Sequence, residues 1–154
     1  DSGFAEERGR GACCARLAAR SAALMAVGIL LLTHPGIGTA LRAVVQKVMG
    51  NPTLPIEVLE VPFDAPMDDL SMRARGTLDR LDGGEGVLIL TDLYGASPSN
   101  LAARLESTPV PVRRVSGLSL PMLLRVLNYP EQNLEALAST AVTGARSGVV
   151  NGHA

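Results

Sequence analysis

Two unbroken apolar runs, Ala26-Val-Gly-Ile-Leu-Leu-Leu-Thr33 and Gly86-Val-Leu-Ile-Leu-Thr91, each lead through a polar, glycine-bearing loop into a helical period. A strand with one wet face alternates apolar and polar residues, so an unbroken run of strand length predicts a strand covered on both faces. Ala26 to Thr33 therefore reads as a central strand. After it, Leu41, Val44, Val45 and Val48 recur at helical spacing until Gly50-Asn-Pro52 stops the pattern, which predicts a helix over 39–49. Pro55 to Val61 alternates Ile56, Val58, Leu59 and Val61 with acids and reads as a strand. Asp68 or Asp69 is expected to cap a helix that reaches about Leu81 and ends at Asp82-Gly-Gly84. The second apolar run is followed by Asp92-Leu-Tyr-Gly-Ala-Ser-Pro-Ser99 and a helix from about Asn100 to Glu106. Val110 to Val115 reads as a fourth strand, Pro121 to Leu127 as a short helix, and Glu131 to about Arg146 as a last helix with Leu134, Leu137, Ala138 and Ala141 inward. Strand-then-helix order with right-handed crossovers gives the expected class: α/β, a three-layer open and mainly parallel four-stranded sheet with helices on both faces.

At 154 residues the chain holds one substantial core. Aromatics make up 3 % and Trp is absent, so Leu, Val and Ala must fill that core. A formal charge of −1, with no window dense in both Lys and aromatics, argues against nucleic-acid binding. Cys13 and Cys14 are adjacent and precede the part expected to fold, so they offer neither a disulfide framework nor spaced metal ligands. His34 and His153 are far apart, and no metal or other cofactor is expected. A reducing, cytoplasmic location is the simpler expectation.

The chain divides into three parts. Residues 1–24 read as an appended or upstream-translated segment without structure, 25–148 as the folded domain, and 149–154 as a tail. Met25 is the expected start. The alternative is a secretory signal, because Arg16 and Arg20 precede the apolar stretch Ala22 to Leu32. Cleavage near that stretch would discard the first strand.

In open α/β sheets, ligands bind beyond the carboxyl ends of strands where the strand order reverses. His34 and Asp92 each sit just past such an end, and they become neighbours if their strands are adjacent. A carboxylate beside an imidazole accepts its Nδ1 proton, fixes the tautomer and leaves Nε2 as a nucleophile. The loop Pro35-Gly36-Ile37-Gly38 precedes a helix whose N-terminus can stabilise a dianion on that nitrogen. Gly95, Ala96 and Ser97 offer further donors. Together these residues specify a histidine that takes and returns a phosphoryl group. Each also has a plainer reading: His34 as a solvated loop residue, Asp92 as a turn or cap, Gly36 and Gly38 as chain-turning residues, and His153 as a solvated tail residue.

Two other chemistries compete. Gly36-x-Gly38 after a strand, with Glu60 near the end of the next, suggests a nucleotide-binding module, although Leu41 replaces its third glycine. Gly95-Ala-Ser97-Pro-Ser99 resembles a nucleophile elbow that lacks its final glycine, and the only downstream histidine is His153. A third alternative keeps His34 but makes its phosphorylation a regulatory signal that alters protein binding.

Three segments carry a family resemblance: Gly28-Ile-Leu-Leu-Leu-Thr-His34, Gly86-Val-Leu-Ile-Leu-Thr-Asp-Leu-Tyr-Gly-Ala-Ser-Pro-Ser-Asn100 and Gly117-Leu-Ser-Leu-Pro-Met-Leu-Leu124. In that order they resemble the mannose-type IIA component of the bacterial phosphoenolpyruvate-dependent sugar phosphotransferase system, across nearly all of Met25 to Gly148. The resemblance implies a phosphotransferase component with a phosphohistidine at His34, Asp92 orienting the ring and the loop around Ser97 helping to hold the phosphate. It implies a histidine-containing phosphocarrier protein as donor and a IIB protein or domain as acceptor, with the membrane reached only indirectly through IIC and IID components. It also implies a homodimer, often with an exchanged C-terminal strand, for which Val149 and Val150 are the candidates. The family commonly has Gly directly after its active histidine. Here Pro35 stands there and removes one amide donor.

Overall fold

The computed structural model describes residues 26–152. Segment 1–24, the expected start Met25 and His153 lie outside the described residues. The element order is β1 (Gly28–Thr33), α1 (Ile37–Met49), β2 (Ile56–Glu60), α2 (Met67–Leu81), β3 (Val87–Thr91), α3 (Ser97–Leu105), β4 (Val112–Ser116), α4 (Leu120–Leu127) and α5 (Leu134–Ser147). The four strands form one sheet in the order β2-β1-β3-β4, and all three pairings are parallel.

Both expected central runs are buried along their whole length, for the reason their composition suggests. Successive residues of β1 point to opposite faces. Ile29 and Leu31 join Leu88 and Leu90 against α1, α4 and α5, where Val45, Met122, Leu123, Leu137 and Ala141 are buried. Leu30 and Leu32 join Val87 and Ile89 against α2 and α3, where Leu70, Leu78, Leu101 and Leu105 are buried. Two helices lie on one face and three on the other, which completes the three layers.

Several boundaries differ from expectation: α1 begins at Ile37, two residues before the expected Thr39, β4 begins at Val112, two after the expected Val110, and three further helix starts have clear local causes. Helix α2 begins at Met67 behind Pro66, so Asp68 and Asp69 sit in its first turn rather than capping it. Carboxylates there still suit the positive end of the helix dipole. Helix α3 begins at Ser97, three residues before the expected Asn100, because Pro98 in the first turn lacks only an N–H that the helix would leave unpaired anyway. Helix α5 begins at Leu134, after Glu131, where the Asn133 side chain accepts the Ala136 N–H at 2.9 Å.

The strand order decides where chemistry can occur. From β1 the chain crosses to β2 on one side, and β3 returns to the other side of β1 before β4 continues outward. The connections leaving β1 and β3 therefore diverge and open a crevice at their carboxyl ends, the switch point of a doubly wound sheet. Among the described residues, no helix is long and apolar enough to cross a membrane.

Candidate functional site

His34 follows β1 and Asp92 follows β3, and the register pairing Leu32 with Thr91 brings the two strand ends level. Asp92 Oδ2 accepts the backbone N–H of His34 at 2.9 Å and lies 2.8 Å from its ring Nδ1. Asp92 Oδ1 accepts the Leu93 N–H at 2.9 Å. Burial pushes the Asp92 carboxyl up, but the hydrogen bonds from the His34 amide and ring, the charge attraction of that ring and the Leu93 amide outweigh it. They hold the group below the usual carboxylate range. An ionised carboxylate only accepts, so the contact places a proton on Nδ1, and in the neutral ring the lone pair is then on Nε2. The His34 side chain is 22 % exposed and that of Asp92 9 %, so the imidazole is the more open of the two to solvent.

The backbone on either side of His34 is fastened separately. The buried Thr33 hydroxyl donates to the His34 carbonyl at 2.9 Å and accepts the Gly38 N–H at 2.9 Å. Gly36 has φ of 87°, a left-handed conformation that favours glycine. Gly38 is glycine for lack of room: a Cβ there would lie 2.7 Å from Val58 Cγ1 and 2.9 Å from Thr33 Oγ1.

These contacts revise the expectation that Gly36 and Gly38 cradle a bound anion. The Gly38 amide is committed to Thr33, and the next amide, Thr39 N–H, donates to Glu60 Oε1 at 3.1 Å. The Thr39 hydroxyl donates to the same oxygen at 2.7 Å. Glu60 thus serves the helix end from within the chain, where a nucleotide site would turn it toward a ribose. The other side of the crevice differs. Gly95, Ala96 and Ser97 lead into α3 from Asp92, and that helix carries no side-chain cap. Asn100 Nδ2 steadies the turn by donating to the Gly95 carbonyl at 3.3 Å. Ser97 lies exposed in the first helical turn, and Ser99, which stands where a nucleophile elbow has its final glycine, is buried.

One aromatic was not anticipated. The Phe63 ring lies 5.5 Å from the His34 ring, tilted by 30°, and is 80 % exposed. It occupies the connection after β2, at the same sheet end as His34 and Asp92, so the strand-end rule that selects those two also covers it. Ile37, at the first position of α1, and Leu93 and Tyr94, on the connection after β3, are exposed at this end of the sheet and give it an apolar rim. Among the described residues no group of three or more His, Cys, Asp and Glu gathers as a metal site would require.

The EIIA-man family model, described as PTS system fructose IIA component, matches residues 28–142. The chain is 27 % identical over 127 residues to the PTS system mannose-specific EIIAB component of Escherichia coli strain K12, an alignment covering 81 % of this chain and 39 % of that protein. It therefore spans about two fifths of the length of that curated relative. It is also 31 % identical over 117 residues to the transcriptional regulatory protein LevR of Bacillus subtilis strain 168, covering 72 % of this chain and 12 % of LevR. Among solved structures, a mannose/sorbose specific IIA subunit of the phosphotransferase system from Enterococcus faecalis matches with a TM-score of 0.74. That match covers 83 % of this chain and 96 % of the other at 22 % identity, and it bears on the fold.

Proposed function

The chain belongs to the EIIA-man family of phosphotransferase-system IIA components, and from that membership we propose that it carries a phosphoryl group on His34 Nε2. The phosphoryl group comes from a histidine-containing phosphocarrier protein and passes to a IIB protein. The observation that supports the reading is the double contact of Asp92 with His34, which favours the neutral tautomer with its proton on Nδ1 and its lone pair on Nε2. In the transfer, the Nε2 lone pair forms a new N–P bond while the donor's N–P bond breaks and its electron pair returns to the donor imidazole. Asp92 offsets the positive charge that develops on the ring. The amides of Gly95 and Ser97 at the start of α3, which has no side-chain cap, are the proposed donors to the phosphoryl oxygens, the Ala96 N–H being turned to the Leu93 carbonyl at 3.4 Å, with Gly36 and Gly38 turning and packing the loop.

A protein donor suits the surface. Ile37, Phe63, Leu93 and Tyr94 are exposed at the sheet end that carries the partly exposed His34, and Phe63 lies against its ring, the kind of apolar rim that a docking protein covers. The proposal extends to a homodimer. Strand β4 is an edge of the sheet, and Val149 and Val150 after α5 are 85 % and 78 % exposed, so a second copy has both an edge and an apolar segment to pair with.

The test is intact-mass analysis of wild type and His34→Ala after incubation with phosphoenolpyruvate, enzyme I and the phosphocarrier protein. Acid-labile phosphate on wild type alone supports the carrier role. A folded wild type that takes up none overturns it. The similarity to a transcriptional regulatory protein favours a second reading, in which the same phosphohistidine is a signal rather than a relay. Adding a purified IIB protein separates the two, since a relay loses its label to IIB and a dedicated signal retains it.

A further inference from the structure

Every helix leaves its first N–H groups without intrahelical partners. In α1 each of these donors finds an acceptor inside the chain. Ile37 N–H reaches the His34 carbonyl at 3.4 Å, Gly38 N–H the Thr33 hydroxyl at 2.9 Å, and Thr39 N–H the Glu60 carboxylate at 3.1 Å. Gly36, at the N-cap position, has no side chain to offer. Glu60 does that work from the neighbouring strand, where it pairs in register with Thr33, the residue before His34. Hydrogen bonds from the Thr39 hydroxyl and from the Gly36 and Thr39 amides outweigh the small effect of burial and hold the Glu60 carboxyl below the usual range. It is therefore a full negative charge at neutral pH.

That charge sits against the same short connection that carries His34. A helix N-terminus favours an anion, and the end of α1 already holds one. The Gly36–Thr39 helix end is thus filled and negative, whereas the Gly95–Ser97 end of α3 has no side-chain cap and only its Ala96 N–H is turned inward, to the Leu93 carbonyl at 3.4 Å. Resting on the phosphohistidine reading above, we propose that Glu60 is a positioning residue for phosphoryl transfer. It closes the α1 N-terminus to the phosphoryl group, directs that group toward Gly95–Ser97, and keeps phospho-His34 in a repulsive field that favours onward transfer. In each transfer one N–P bond breaks as another forms, and Glu60 exchanges no proton. Its effect is electrostatic, and the partial exposure of the carboxylate keeps it modest and sensitive to salt.

The test compares wild type, Glu60→Gln and Glu60→Ala at equilibrium with the phosphorylated phosphocarrier protein, using intact mass to read the fraction phosphorylated. Gln keeps an oxygen for the Thr39 donors and loses the charge. The expected result is a shift of about two- to fivefold toward the phosphorylated chain in Glu60→Gln, as suits one charge at a helix end, shrinking as salt is added. Hydrolysis of the isolated phosphorylated variant slows by a similar factor. A purely structural Glu60 predicts instead that Gln behaves as wild type while Ala alone changes, and that outcome overturns the inference. So does a shift in the opposite direction. Should Glu60→Ala fail to fold, Glu60→Gln still decides. Failure of the wild type to become phosphorylated, or equal labelling of His34→Ala, instead overturns the phosphohistidine reading itself.

Discussion

A single carboxylate oxygen, Asp92 Oδ2, meets His34 twice, accepting its backbone N–H at 2.9 Å and lying 2.8 Å from ring Nδ1. One contact locates the loop and the other orients the ring, so the imidazole is positioned relative to both β1 and β3. Replacement of Asp92 by Asn presents an amide that can donate toward Nδ1 and favour the tautomer with the proton on Nε2. The expected outcome is a folded protein whose phosphorylation slows on the order of 10²-fold, measured by quenched-flow intact mass.

The same pair has a signature in acid. Asp92 has a lower pKa in the folded chain than its unfolded value of about 3.9, so between the two values the unfolded state binds more protons. Its contribution to stability is therefore complete above the unfolded value and is lost as pH falls through the folded one. Urea midpoints measured from about pH 6 downward should drop more steeply for wild type than for Asp92→Asn, with the two curves approaching each other at the acid end. Parallel curves would assign the acid sensitivity to other carboxylates.

Phe63 separates docking from folding. With 80 % of its surface exposed, Phe63→Ala should alter stability by no more than about 0.5 kcal/mol. If the rim receives a protein donor, transfer from the phosphocarrier should require a higher donor concentration while the saturated rate changes little. A titration of the initial rate against donor concentration distinguishes this from a loss of chemistry.

Gly38 tests the packing beneath the loop. A methyl group there meets Val58 and Thr33 at 2.7 and 2.9 Å, so Gly38→Ala should cost about 1–3 kcal/mol in a denaturant titration. It should also weaken phosphorylation, because the hydroxyl it crowds is the one bonded to the His34 carbonyl.

The core offers a control distant from the chemistry. Leu31 and Leu90 are both fully buried on the face covered by α1, α4 and α5, and Leu90→Ala should lower the unfolding free energy by about 2–5 kcal/mol. A loss of that size with normal labelling of the remaining folded protein would separate stability from transfer.

Much of this molecule could be read along the chain because its determinants are local. An unbroken Leu-Ile-Val run admits few uses other than a doubly covered strand, and the periodicity from Leu41 to Val48 admits little but a helix. His34 and Asp92 could be singled out because each ends such a strand. Boundaries were less legible where propensity and tolerance diverge. Pro98 reads as a turn residue before the helix, yet in a first turn it forfeits only a hydrogen bond that would not have formed.

The sequence by itself determined which segments are strands and helices, which residues fill the interior, and that a histidine and an aspartate close two central strands. Tertiary structure alone decided that β1 lies between β2 and β3, because no single segment specifies which strand it pairs with. With that order came the 2.8 Å contact between residues 58 positions apart, the Phe63 ring beside His34, and Glu60 at the end of α1. Unpaired donors at a helix end take whichever acceptor the neighbouring strand brings within reach, and residue spacing in the chain does not encode that distance.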